Sequence, residues 1–418
     1  MSLSKARHER NRANIEARAS NGVQKGPGGI KAEGGARRIN GLESVQEVLA
    51  VHDTYGGALL PLSMSACWSR TAKLTRQSHT ERAWLTEHVD QLQPLLHTTL
   101  KHLPDFRFSE LCTVAHGVAI TGKTVGFEPG KVLWPAISGA VVQQMGEHRP
   151  RDLSTLVWAF ATAGQADPVV FDAVAEVATP HLGEFNHQQI ANILWAFASV
   201  DHASPAMFLA AADSAASRLD SFSAQSLANT AWAFTTANVP APALFANARF
   251  GERCDQATLL QKELSQMHQF SLWLDELGEQ WPPLPPALLE RCRASVGVTP
   301  GGAAPVSQLQ AQVVDALRKL GLQTTVEVLT PQGYTIDAVV HAGGREVGVE
   351  VDGPSHFMGA ANTPTGKTRL KRRQLRAFGW SLVDVPYWEW NALQDDAAKA
   401  KYLVRKMTEC DGDVERSC

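Results

Sequence analysis

Acidic and basic side chains gather in two adjoining stretches near the C-terminal end of the chain. Asp337, Glu350 and Asp352 fall in a segment interleaved with Val347, Val349 and Val351, and Lys367, Arg369, Lys371, Arg372, Arg373 and Arg376 follow with no acid among them. Carboxylates crowded on one surface bind a divalent cation, share a proton or take a cationic partner. Guanidinium groups without acidic neighbours on their own helix grip phosphates. The chemistry on offer is phosphate binding, with metal-assisted phosphodiester cleavage if the acids hold Mg²⁺ and Lys371 assists. His356 can touch a phosphate or a metal, or fix the loop after the acids. Trp380, Tyr387, Trp388 and Trp390 can stack on bases or pack a core.

The elements that must position these groups follow from spacing. Gly343-Gly344 is a two-residue hairpin turn between strands at about 333–341 and 345–352, and it sets Asp337 opposite Glu350. Side chains alternate along a strand, so Glu350 and Asp352 share one face while Val347, Val349 and Val351 pack the other. Like charges so close are destabilising and need compensation. A helix over 365–378 supplies it. Leu370, Leu375 and Phe378 mark its buried side with Lys371 inside that arc and Lys367 at its edge, whereas Arg369, Arg372, Arg373 and Arg376 project the opposite way as a ridge. A helix at 306–320, a strand at 323–330 and a strand at 380–385 complete the order αβββαβ for a domain over 305–395, with 396–418 as a tail.

Upstream the pattern is wholly helical. Trp158-Ala159-Phe160, Trp195-Ala196-Phe197 and Trp232-Ala233-Phe234 recur every 37 residues, and Leu153, Ile190 and Leu227, Pro168, Pro205 and Pro242, and Phe171, Phe208 and Phe245 keep the same interval. Each unit reads as helix, Pro-bearing turn, helix. One hairpin cannot bury its apolar stripe alone, so stacked hairpins over 151–277 make an α-solenoid. Weaker copies stand at Leu111 to Gly117 and Leu264 to Leu272, within a divergent helical region over 41–150 and at the end of the array. The Trp and Phe residues read as inter-repeat core. Residues 151–250 carry three Arg and no Lys against eight acids, a poor surface for phosphates, so the array docks proteins or reads bases through Asn192, Gln225 and Asn229.

The rest bounds the class. Lys plus Arg number 39 and Asp plus Glu 42, so nucleic-acid binding must be local. No apolar run is long enough to span a membrane, and none is expected. The 6 cysteines form no CxxC pair, which argues against a zinc site or a disulfide framework and for a reducing compartment. Residues 1–40 form a basic arm with few apolar residues, read as disordered and either an organellar targeting segment or a plain tail. Trp281-Pro-Pro-Leu-Pro-Pro286 and the Gly/Pro-rich 297–305 bracket a short helix in a linker over 278–304.

Glu350-Val-Asp-Gly-Pro-Ser-His-Phe357, Gly366-Lys-Thr-Arg-Leu-Lys-Arg-Arg-Gln-Leu375, Gly379-Trp380 and Val385-Pro-Tyr-Trp-Glu-Trp390 resemble the RAP domain. The 37-residue units look like the octotricopeptide-like repeats that accompany such domains. The resemblance implies an RNA-binding factor of mitochondria, or alternatively chloroplasts, acting in transcript processing, stability, translation or ribosomal RNA maturation. It also implies a restriction-endonuclease-like fold, whose nucleases hold a metal with an Asp followed by Glu-x-Lys. Here Asp337 and Glu350 match the acids, but Asp352 stands where the Lys belongs.

Two expectations follow. In the first, RNA is held without a cofactor by Lys367, Arg369, Lys371, Arg372, Arg373, Arg376 and His356, with Trp388 and Trp390 as stacking surfaces. In the second, a Mg²⁺-dependent nuclease uses Asp337, Glu350, Asp352 and Lys371. The fold expected is an N-terminal α-solenoid followed by a small αβββαβ domain.

Overall fold

Helices begin at Pro150, His187, Ala224 and Gln261, so the 37-residue period of the sequence is the period of the structure. The computed structural model describes residues 33–296, 307–342, 344–359 and 362–415. Two compact units divide the chain, Met1–His181 and Leu182–Cys418. The last repeat hairpins and the sheet domain thus share one unit.

The first unit is helical throughout its described part, from Glu33–Asn40 to the hairpin Pro150–Thr162 and Pro168–Ala178. Residues 1–32 of the expected basic arm lie outside the described residues. The remainder departs from expectation, because Glu33–Asn40 is a helix with Ala36 and Ile39 buried. Pro168 opens its helix at the first position, where a missing N–H costs nothing, and the Asp167 carboxylate accepts the N–H groups of Val169 and Val170.

In the second unit the hairpins are His187–Ser199 with Pro205–Ser217, then Ala224–Ala237 with the shorter Pro242–Phe245 and Arg249–Asp255. Ile190, Leu227, Phe197, Phe234 and Phe208 are buried, as the repeat requires. Burying each Phe contributes roughly 2–3 kcal/mol. Trp232 is buried, but Trp195 is only half-buried, its ring 6.3 Å from that of Trp232. Gln261–Leu277 continues the array. Pro286–Ala294 packs on it with Leu288 and Cys292 fully buried, so this stretch of the expected linker is structural. The Gly/Pro-rich 297–305 lies outside the described residues.

The sheet domain has the expected αβββαβ order. Helix Gln308–Lys319 precedes β1 (Gln323–Leu329), β2 (Thr335–Ala342) and β3 (Arg345–Asp352); a short ribbon, β4 (Phe357–Met358) and β5 (Thr363–Pro364), leads to the basic helix Gly366–Ala377 and β6 (Ser381–Pro386). Strand order is β1-β2-β3-β6, antiparallel except for the parallel pair β3–β6. Val347, Val349, Val351, Val383 and Val385 pack one face against Val313, Val314 and Leu317 of the first helix. Helix Asp396–Glu415 covers the same face with Tyr402 and Leu403. That helix corrects the expected tail at 396–418. Its apolar side is short and lies among charged residues, so it shows no clear helical stripe in the sequence. Leu375 of the basic helix packs the opposite face with Ile336, Val339 and Leu382.

Candidate nucleic-acid interface

Thr365 caps the basic helix by accepting the Thr368 N–H at 3.2 Å, and the helix then runs across the acidic face of the sheet. The hairpin register is the one the Gly-Gly turn dictates, with Val340 opposite Val347 and Ala338 opposite Val349. The ladder stops there. Asp337 does not form the expected cross-strand pair with Glu350; its carboxylate accepts the Val351 N–H at 2.7 Å in place of a strand carbonyl.

Beneath the helix, the acids are paired with cations. Lys371 Nζ donates to Glu350 Oε2 at 2.5 Å, and Glu350 is buried. Arg372 binds Asp352, and its Nε lies 3.0 Å from Asp384 Oδ1 on β6. Arg376 reaches the other oxygen of Asp384 at 3.5 Å. His356 Nδ1 stands 2.8 Å from the second oxygen of Asp352. Burial pushes the Glu350 carboxyl up to about 7 although Lys371 pulls it down. Burial likewise raises Asp337 and Asp384. Burial acts upward on Asp352 as well, but the His356 hydrogen bond and the Arg372 charge outweigh it and hold that carboxyl below its usual range.

This donor set does not fit a divalent metal. Glu350 is neutralised by an ammonium, Asp352 by a guanidinium and an imidazole, and Asp337 serves as a backbone acceptor. Among the described residues no group of three His, Cys, Asp or Glu side chains is arranged to hold a metal ion.

The other side of the helix corrects the expected arginine ridge. That side is not free surface; it packs against the C-terminal ends of the repeat helices. Arg369 pairs with Asp201, just beyond helix His187–Ser199. Arg373 donates to the carbonyls of Thr235 at 2.6 Å and Thr236 at 3.3 Å, in the last turn of Ala224–Ala237, and faces Glu276 at 3.4 Å. A cation satisfies the orphan carbonyls of a helix C-terminus and complements its partial negative charge. Gln374, fully buried, donates to the Gln269 carbonyl at 2.9 Å and accepts from the Tyr334 hydroxyl at 2.5 Å. Gly366 is needed at this crossing, because a Cβ there would fall 2.0 Å from the Ala198 carbonyl oxygen.

All four arginines are therefore engaged within the molecule, but unequally. Arg372 and Arg373 are 12% and 27% exposed, Arg369 and Arg376 54% and 49%. Lys367 is exposed at the first turn, and the His356 ring is 41% exposed. Trp390 is not a stacking surface: it is buried in the core, and its Nε1 donates to Gln312. Trp388, Tyr387 and Trp380 are half-buried, Trp388 lying edge-on to Phe357 at 4.1 Å. Among the repeat amides Gln225 is exposed, while Asn229 accepts from Gln266 at 3.1 Å.

The RAP domain family matches residues 349–406, a span containing Glu350, Asp352, His356 and the entire basic helix. The chain carries a RAP domain. A rice (Oryza sativa subsp. japonica) protein named "RAP domain-containing protein, chloroplastic" is 38% identical over 99 residues, 24% of this chain and 15% of that protein. "FAST kinase domain-containing protein 3, mitochondrial" of Rattus norvegicus is 35% identical over 74 residues, 18% of this chain and 11% of the relative; the Homo sapiens protein of that name is 28% identical over 95 residues, 19% and 14%. The chain thus spans about a seventh or less of the length of these curated relatives. The matched span reaches into helix Asp396–Glu415, in keeping with that helix completing the core of the RAP domain.

Sequence reasoning missed Asp201, Glu276, Gln374 and Asp384. Asp384 alone left a local signal. It alternates with the buried Val383 and Val385, which places it on the face of Glu350.

Proposed function

We propose that this protein is an RNA-binding factor of mitochondria or plastids, acting in transcript processing, stability or ribosomal RNA maturation. The RAP domain presents Lys367, Arg369, Arg376 and His356 to the phosphate backbone. The observation that carries this reading is the division of the basic helix. Its inner cations neutralise the sheet acids and cap the repeat helices, while its outer cations keep about half their surface. Part-exposed ion pairs contribute only about 0–1 kcal/mol, so a phosphate can take over the Arg369 and Arg376 guanidiniums. The chloroplastic and mitochondrial names of the relatives support an organelle. Cleavage is not proposed, because the acids that would hold a metal are already bound to Lys371, Arg372 and His356.

The test is retention of single-stranded organellar RNA by the full chain at low salt, with Mg²⁺ or with EDTA. Binding equal in both, falling with salt and leaving the RNA intact, is expected. No retention at low salt would overturn the proposal.

A further inference from the structure

The residue that ends the first helix of each hairpin has left-handed backbone: Gly164 at φ 69°, Asp201 at 58° and Asn238 at 53°, spaced by the repeat of 37. Among residues with a side chain, Asn and Asp tolerate this conformation best. Gly164 and Asn238 meet the conformational need without charge, and the Asn238 side-chain Oδ1 also accepts the Trp273 indole N–H at 2.8 Å. The charge of Asp201 is therefore not required by the turn. It is directed at Arg369, whose side chain stays 54% exposed while pairing with it.

We propose that Asp201 is an intramolecular competitor for RNA, a carboxylate that occupies the Arg369 fork and that an RNA phosphate must displace. This inference rests on the RNA-binding reading above. Carboxylate and phosphate oxygens present the same paired acceptors to a guanidinium, so one fork cannot serve both fully. Arg373 stays on the Thr235 and Thr236 carbonyls during the exchange, so the helix remains docked while its outer cation changes partner. RNA affinity is then set partly by the repeats, through a residue of the array and not of the RAP domain.

Asp201→Asn removes the charge and keeps a residue suited to the left-handed position, as at 238. In the full chain, binding to a fluorescent single-stranded RNA is measured over a range of salt concentrations for wild type, Asp201→Asn and Asp201→Asn with Arg369→Gln. The single variant is expected to bind about three- to fivefold tighter at a salt slope close to that of wild type, because Arg369 neutralises the same phosphate in both complexes and only the competing carboxylate is gone. The double variant is expected to lose the gain and to show a slope shallower by about 0.7, one phosphate contact fewer. Asp201→Gly, the residue found at 164, is a second version should Asn lower the melting temperature. If wild type binds RNA and neither variant binds tighter, the competitor role is wrong and the RNA-binding reading stands. If wild type retains no RNA, both fall.

Discussion

Lys371 Nζ sits 2.5 Å from Glu350 Oε2, so the amine of a strongly basic helix is used to neutralise a deeply buried acid of the sheet it covers. Removing the lysine leaves the buried Glu350 carboxylate without a partner, so that it must stay charged unpaired or take up a proton. Lys371→Met is expected to destabilise the chain by about 2–4 kcal/mol in urea unfolding, allowing for a lysine 23% exposed. Glu350→Gln with Lys371→Met should recover most of the loss. An additive double variant would show that the pair is not coupled.

The same pair sets a pH dependence. The Glu350 carboxyl is raised from its usual value to about 7 by burial, so the folded state binds a proton that the unfolded state has released. Stability from this group is fully present below about pH 4.5 and is lost as pH rises toward 7. Wild type should lose more stability than Glu350→Gln between pH 4.5 and 7.5, by on the order of 2 kcal/mol. Parallel curves would remove Glu350 as the titrating group.

Inner and outer arginines should separate in stability. Arg372 is 12% exposed and bound to Asp352 and Asp384, so Arg372→Ala leaves the buried Asp352 with His356 alone and the half-buried Asp384 with Arg376 alone, and should cost about 3 kcal/mol. Arg376→Ala gives up a half-exposed pair and should cost no more than about 1 kcal/mol. Thermal unfolding of the two variants side by side decides the matter, and equal melting temperatures would refute the distinction.

Gly366→Ala tests the docking of the basic helix on the repeats. Alanine favours a helix over glycine by about 1 kcal/mol, yet here its Cβ meets the Ala198 carbonyl oxygen. A net loss of about 1–3 kcal/mol is expected from the forced backbone shift. A gain in stability would mean that the helix does not pack there.

The αβββαβ order and the repeats were legible because both are local signals. Alternating Val347, Val349 and Val351 mark a strand, Gly343-Gly344 a hairpin, and the Trp-Ala-Phe triplets a fixed period. The inward aim of Lys371 was legible for the same reason, since helical geometry places it beside Leu370 and Leu375. The arginines were misread because their partners are remote. Arg373 reaches back 137 residues to Thr236, and Arg369 168 residues to Asp201. A helix covered on two sides carries no sequence mark of its second side when that side is met by backbone carbonyls and scattered acids. Asp337 was misplaced more narrowly, where the ladder ends and its carboxylate stands in for a carbonyl.

The central claim is that the basic helix is divided, with its outer cations for RNA and its inner ones for the fold. Its most direct test is the slope of log affinity against log salt for single-stranded RNA, measured on the full chain and on the variant Arg369→Gln with Arg376→Gln. The account predicts a folded variant whose affinity falls and whose slope is shallower by about 1.4, because two fewer phosphates are neutralised. An unchanged slope and affinity in a folded variant would contradict it.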